Sequence, residues 1–132
     1  MKTGLQFQWI LVVTALMVSF AGCSRGPLTG TVSGKVMHGD APLTLGKIAF
    51  VNMEMGTGGS AVLGEDGLYK ISGDIPVGEY QVYFANAMKS GSMDPKDLIK
   101  TPVKQKYQAA ATSGLAFEIK TGANVADFHL EK

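Results

Sequence analysis

At 132 residues, 45% of them hydrophobic, the chain is long enough for one domain around one core, and its sole cysteine, Cys23, excludes a disulfide within it. A formal charge of +1, from 12 basic and 11 acidic side chains, gives no electrostatic footprint for nucleic acid.

In chain order, Lys2 precedes an uncharged apolar run from Trp9 to Phe20, after which Ala21 and Gly22 lead into Cys23. The run is shorter than the roughly 20 residues that a transmembrane helix needs. A charged start, a short apolar stretch and small residues at the cut have the anatomy of a helical signal peptide over residues 1–22. Phe20-Ala21-Gly22-Cys23 resembles the lipobox of bacterial lipoproteins, in which the cysteine after the cut carries a diacylglycerol thioether. The resemblance implies export and anchoring in membrane lipid through acylated Cys23, since acyl chains contribute about 0.8 kcal/mol per buried methylene. In diderm bacteria, Ser24 in place of Asp after the cysteine fits passage to the outer membrane. Without Lys2, 11 basic residues balance 11 acidic ones, so the mature chain is formally neutral.

Residues 23–31, rich in Gly, Pro, Ser and Thr, predict a flexible tether, and a folded domain is expected over 32–132. Val32, Gly34 and Val36 alternate with Ser33, Lys35 and Met37, and Gly39-Asp40-Ala41-Pro42 turns that strand. Lys47 to Met53 gives the next strand, with Ile48 and Phe50 on one face. Glycines 56, 58 and 59 predict a mobile loop before a weak strand from Ser60 to Leu63. Glu65-Asp66-Gly67 then turns into a strand with Tyr69 and Ile71 on one face. Pro76 and Gly78 make a corner, and Tyr80, Val82 and Phe84 resume the inward face opposite Glu79, Gln81 and Tyr83. Two half-buried strands joined in this way describe neighbours in an antiparallel sheet or sandwich.

From Asn86 to Lys106 no period is visible, and Pro102 prevents a long helix. A helical turn at Pro95 to Ile99, capped by Asp94, is the one regular feature expected in this long loop. The segment carries Lys89, Lys96, Lys100, Lys104 and Lys106 against Asp94 and Asp97, a local excess of three positive charges. Such a loop is either a solvated connection or a contact surface for anionic wall polymer, lipid headgroups or a protein partner. Tyr107 to Thr112 is expected to start a further strand, which Ser113-Gly114 turns. Leu115, Phe117 and Ile119 line one face of the next, Thr121-Gly122-Ala123-Asn124 makes the last turn, and Ala126, Phe128 and Leu130 point inward from the final strand.

Strands at this spacing predict an all-β sandwich. Val-Ser-Gly-Lys-Val at 32–36, Glu-Asp-Gly-Leu-Tyr-Lys-Ile at 65–71, Ile-Pro-Val-Gly-Glu-Tyr-Gln-Val at 75–82 and the closing Phe-His-Leu at 128–130 resemble the carboxypeptidase regulatory-like domain. The resemblance covers roughly residues 30–131 and implies a transthyretin-like, seven-stranded antiparallel Greek-key sandwich. It also implies a non-catalytic accessory module, because the matching motifs serve backbone geometry.

A search for chemistry along the chain finds no constellation of catalytic residues. His38 and His129 lie at outward or strand-end positions, with no second His or Cys at metal-ligand spacing. Hydroxyisourate hydrolases share the transthyretin-like fold but end in Tyr-Arg-Gly-Ser, whereas this chain ends in His-Leu-Glu-Lys and its only Arg is Arg25. A Lys35–Asn124 isopeptide bond is opposed by parity, which turns Lys35 outward. Glu65, Asp66 and Asp74 lack the spacing of a calcium loop, and Met53, Met55, Met88 and Met93 are scattered rather than arranged as a copper site. The expected function is therefore that of a membrane-anchored module that binds an envelope protein or glycan, without enzymatic activity or cofactor. The alternative is a small-molecule carrier of transthyretin-like type.

Overall fold

A computed structural model describes Gly22 and residues 26–132. The signal peptide expected over residues 1–22, apart from Gly22, and the lipidation expected at Cys23 lie outside the described residues. The described chain is an all-β sandwich built around β1 (Thr29–His38), with Val32 and Val36 fully buried on its inner face. Three short segments pair antiparallel along one side of β1: β2 (Ala41–Pro42) at its end, β5 (Leu68–Lys70) at its middle and β6 (Ile75–Pro76) at its start.

The other layer is a four-stranded antiparallel sheet. In spatial order it runs β10 (Leu115–Ile119), β7 (Gly78–Ala85), β3 (Lys47–Asn52) and β4 (Thr57–Val62). The expected alternation holds here: Ile48, Phe50, Tyr80, Val82 and Phe84 are buried, while Glu79 and Gln81 are exposed. The Pro76–Gly78 corner carries the chain from one layer to the other. The Tyr69 strand and the Tyr80 strand thus face each other across the core instead of pairing. Tyr80 pins that corner, its hydroxyl donating to the Pro76 carbonyl (2.8 Å) and lying 2.8 Å from Thr57 Oγ1. Phe50 sits at the centre, with the rings of Tyr69, Phe117 and Phe128 about 6 Å away.

Four local expectations are corrected. The tether ends sooner than residue 31, because Thr29 and Gly30 pair with Pro76 and Ile75 and already belong to β1. Gly58 and Gly59 are not loop residues: they lie in β4, opposite Val51 and Phe50. A Cβ at Gly59 would come within 2.7 Å of Ile71 and 2.9 Å of Ile75, so the glycine lets the layers approach beside the Phe50 ring. Tyr107 to Thr112 forms no strand; a 3-10 turn at Gln105–Gln108 buries Tyr107 and a single helical turn follows at Ala110–Ser113. The run Ala109-Ala110-Ala111 favours helix over strand, and Gly114, at φ +67°, stops it.

The last correction concerns the closing turn and strand pairing. Gly122–Val125 is a strand, β11, and both it and β12 (Phe128–Leu130) pair with β1 in parallel. The wholly antiparallel arrangement expected from hairpin-like spacing holds for the four-stranded sheet but not along this edge. Between β11 and β12 the ladder is interrupted, and Asp127 Oδ1 accepts from the Lys35 N–H (2.8 Å). Asn124 holds the preceding turn: its Oδ1 accepts from Lys120 N–H, and its Nδ2 lies within 3.1 Å of the Lys120, Gly122 and Thr31 carbonyls.

Candidate functional site

The segment from Asn86 to Lys106 is more ordered than its sequence predicts. β8 (Ala87–Met88) pairs antiparallel with β9 (Leu98–Ile99), making a short ribbon with a tip at residues 89–97. The expected helical turn is a 3-10 turn, Pro95–Asp97, capped by Asp94 Oδ1 accepting from the Lys96 N–H (2.9 Å), with Pro95 in its first position. It stops at Leu98 because that residue enters β9. Ser92 Oγ donates to Asp97 Oδ2 (2.6 Å) and accepts from the Asp94 N–H (3.1 Å). At the base, Asn86 Oδ1 accepts from the Thr101 N–H (3.0 Å), and Ala87 and Val103 are buried.

Both acidic side chains of the ribbon are thus engaged in holding its tip, whereas Lys89, Lys96, Lys100 and Lys104 are exposed and make no ion pair among the described residues. Lys106 differs: its Nζ lies 4.6 Å from the centre of the Tyr107 ring and 3.6 Å from Glu131 Oε2. The Tyr107 side chain, and after it the Glu131 carboxylate, raise its pKa. Lys106 is thus engaged with Tyr107 and Glu131, which leaves the other four lysines exposed, Lys89 and Lys96 in the tip segment and Lys100 and Lys104 beyond β9; Met93, in the tip, is 96% exposed.

The strand register fixes where this surface lies. β1 starts against Pro76 and Gly122 and ends against Ala41 and Leu130. β7 leaves the same starting end at Gly78 and delivers the chain to the ribbon at the other end. The ribbon and the N-terminal tether are therefore at opposite poles, separated by roughly the length of β1, about 30 Å at 3.3 Å per residue.

Elsewhere, the solvent-facing side of the four-stranded sheet bears a depression of about 480 Å³, floored by Ala49, Gly58 and Ser60 and bordered by Lys47, Val51 and Tyr83. A second, of about 510 Å³, lies beside the Met53–Met55 turn, Gly78 and Gln81. His129 is exposed on β12, while His38 ends β1 beside β2. Among the described residues no three His, Cys, Asp or Glu side chains gather, so Glu65, Asp66 and Asp74 remain separate turn residues. Lys35 is exposed and the Asn124 amide is occupied with backbone, so the two do not meet as an isopeptide pair would. No helix among the described residues is long and apolar enough to cross a membrane.

The sequence contained the ribbon's lysines and its cap but not its pairing, since two-residue strands carry no periodic signal. No protein-family model, curated protein or solved structure matches this chain.

Proposed function

We propose that this chain is an exported lipoprotein, anchored in a bacterial membrane by acylated Cys23. Its sandwich, resembling the carboxypeptidase regulatory-like domain, is a non-catalytic module that binds an anionic glycan or protein of the envelope. The observation that carries the reading is the ribbon and the segment that follows it: Lys89 and Lys96 at its tip and Lys100 and Lys104 just beyond it are exposed, while the ribbon's two carboxylates are engaged internally. Its distance from the tether favours a partner beyond the anchoring bilayer. Six residues, 23–28, reach about 20 Å when fully extended, and the domain adds its own length before the lysines are met.

The test uses isolated peptidoglycan sacculi and an envelope extract as probes for the full chain. Replacing the four lysines with Gln is expected to lower retention on one of them at least tenfold at low salt, with the loss shrinking as salt screens the wild type. Cys23→Ser is expected to leave the membrane fraction. Retention unchanged by the fourfold substitution, or a Cys23→Ser chain still in the membrane, would overturn the corresponding half of the reading.

A further inference from the structure

The four-stranded sheet ends on one side in β4, whose sequence, Thr57-Gly58-Gly59-Ser60-Ala61-Val62, has no charge and no proline. Its register with β3 is one-to-one over six pairs, without a bulge. Charged side chains, prolines and bulges are the usual devices that keep an edge strand from pairing with another chain, and β4 has none of them.

The phase of its free groups follows from one bond. Leu63 N–H donates to the Gly46 carbonyl (3.1 Å), so residues 63 and 46 form a hydrogen-bonded pair. Alternation along an antiparallel ladder then directs the backbone of Thr57, Gly59 and Ala61 toward β3, and that of Gly58, Ser60 and Val62 away from it. Those three residues are exposed, and among the described residues no other backbone or side-chain bond reaches them. The edge therefore presents three N–H and three C=O groups, placed symmetrically about Ser60.

Such a row is complementary to a second copy of itself. We infer that β4 pairs antiparallel with β4 of a second copy of this chain, on a twofold axis through the Ser60–Ser60 pair, which joins two four-stranded sheets into one of eight. The register sets Gly58 opposite Val62 of the second copy and forms six backbone hydrogen bonds, using every outward group of both strands. It also fits the side chains. Val62, 56% exposed, lies on the solvent-facing side with Gly58 and Ser60, since Gly59 and Ala61 face the core. Opposite residues share a face, so Val62 of each copy covers the gap left by Gly58 of the other, at the rim of the depression that Ala49 and Val51 line. Nothing in this pairing requires Cys23 or the lysine ribbon.

The experiment is sedimentation of the full chain in mild detergent from about 1 to 100 µM, with oxidative cross-linking of single-cysteine additions. The wild type is expected to dimerise in this range. Ser60→Pro removes a central N–H that β3 does not use, and Val62→Lys adds an edge charge at an exposed site. Each is expected to raise the dissociation constant at least tenfold, with the thermal midpoint unchanged at concentrations low enough for the wild type to be monomeric. Ser60→Cys should yield covalent dimer well above the background from Cys23, and Ala116→Cys on the opposite edge strand, β10, should not. A wild type that stays monomeric, a dimer insensitive to both Ser60→Pro and Val62→Lys, or equal cross-linking through Ala116→Cys would overturn the inference. So would a monomer that holds a different chain on this edge and releases it on Ser60→Pro.

Discussion

Gly34 and Tyr69 lie opposite each other, where β1 pairs with β5, and both face inward. Below Gly34 the interrupted edge between β11 and β12 turns the Ala126 carbonyl into the sandwich, so close that a Cβ at residue 34 would overlap its oxygen. The buried carbonyl would be costly to leave unpaired, and the Tyr69 hydroxyl donates to it. Burial, and secondarily the nearby Asp127 carboxylate, push the Tyr69 pKa well above its ordinary value of 10.0. The neutral hydroxyl's stabilisation is complete below that ordinary value. It is lost as pH rises further, because the unfolded tyrosine then ionises while the folded one does not. Tyr69→Phe is expected to cost about 1–3 kcal/mol at pH 8 and to lose less additional stability than the wild type between pH 8 and pH 11, as read from urea midpoints. The partnership was invisible in the sequence: parity put Tyr69 inside, but the carbonyl it serves is 57 residues away.

At the scale of elements, legibility followed side-chain periodicity. Ile48 with Phe50, and Tyr80 with Val82 and Phe84, were readable because large apolar residues recur at period two and find the core. Of β4 only the half from Ser60 to Val62 was, as a weak strand, because Gly58 and Gly59 carry no such signal and their strand character comes from β3 beside them. β11 was hidden likewise by Gly122 and Asn124, whose turn chemistry is real but ends where pairing with β1 begins. Gly59 is the element-scale test. Gly59→Val improves local strand propensity, yet its side chain must displace Ile71 and Ile75. Overpacking at such a site costs about 1–3 kcal/mol, so a lowered urea midpoint is expected, whereas a mobile loop would be unaffected or stabilised.

For the whole molecule, β1 decides the architecture, and the two halves of its environment come from distant parts of the chain. Deleting residues 126–132 removes Ala126, Phe128 and Leu130 from the core and strips β12 from β1. Large buried residues cost about 3–5 kcal/mol each on truncation, a loss comparable with the 5–15 kcal/mol of an ordinary domain. Loss of near-ultraviolet circular dichroism and of a cooperative melt is therefore expected for the truncated chain, and a retained melt would show that β12 is dispensable.

The parallel ladder between β1 and β11–β12 also has a meaning in time. The first of the described strands to emerge during synthesis is completed by the last of them, so residues 29–38 must wait for some 90 others before their ladder can close. Contacts of such sequence separation fold slowly, on the order of milliseconds to seconds. The chain is thus kept from sealing prematurely by its own topology, and commits to its sandwich only once residues 122–130 are available to pair with β1.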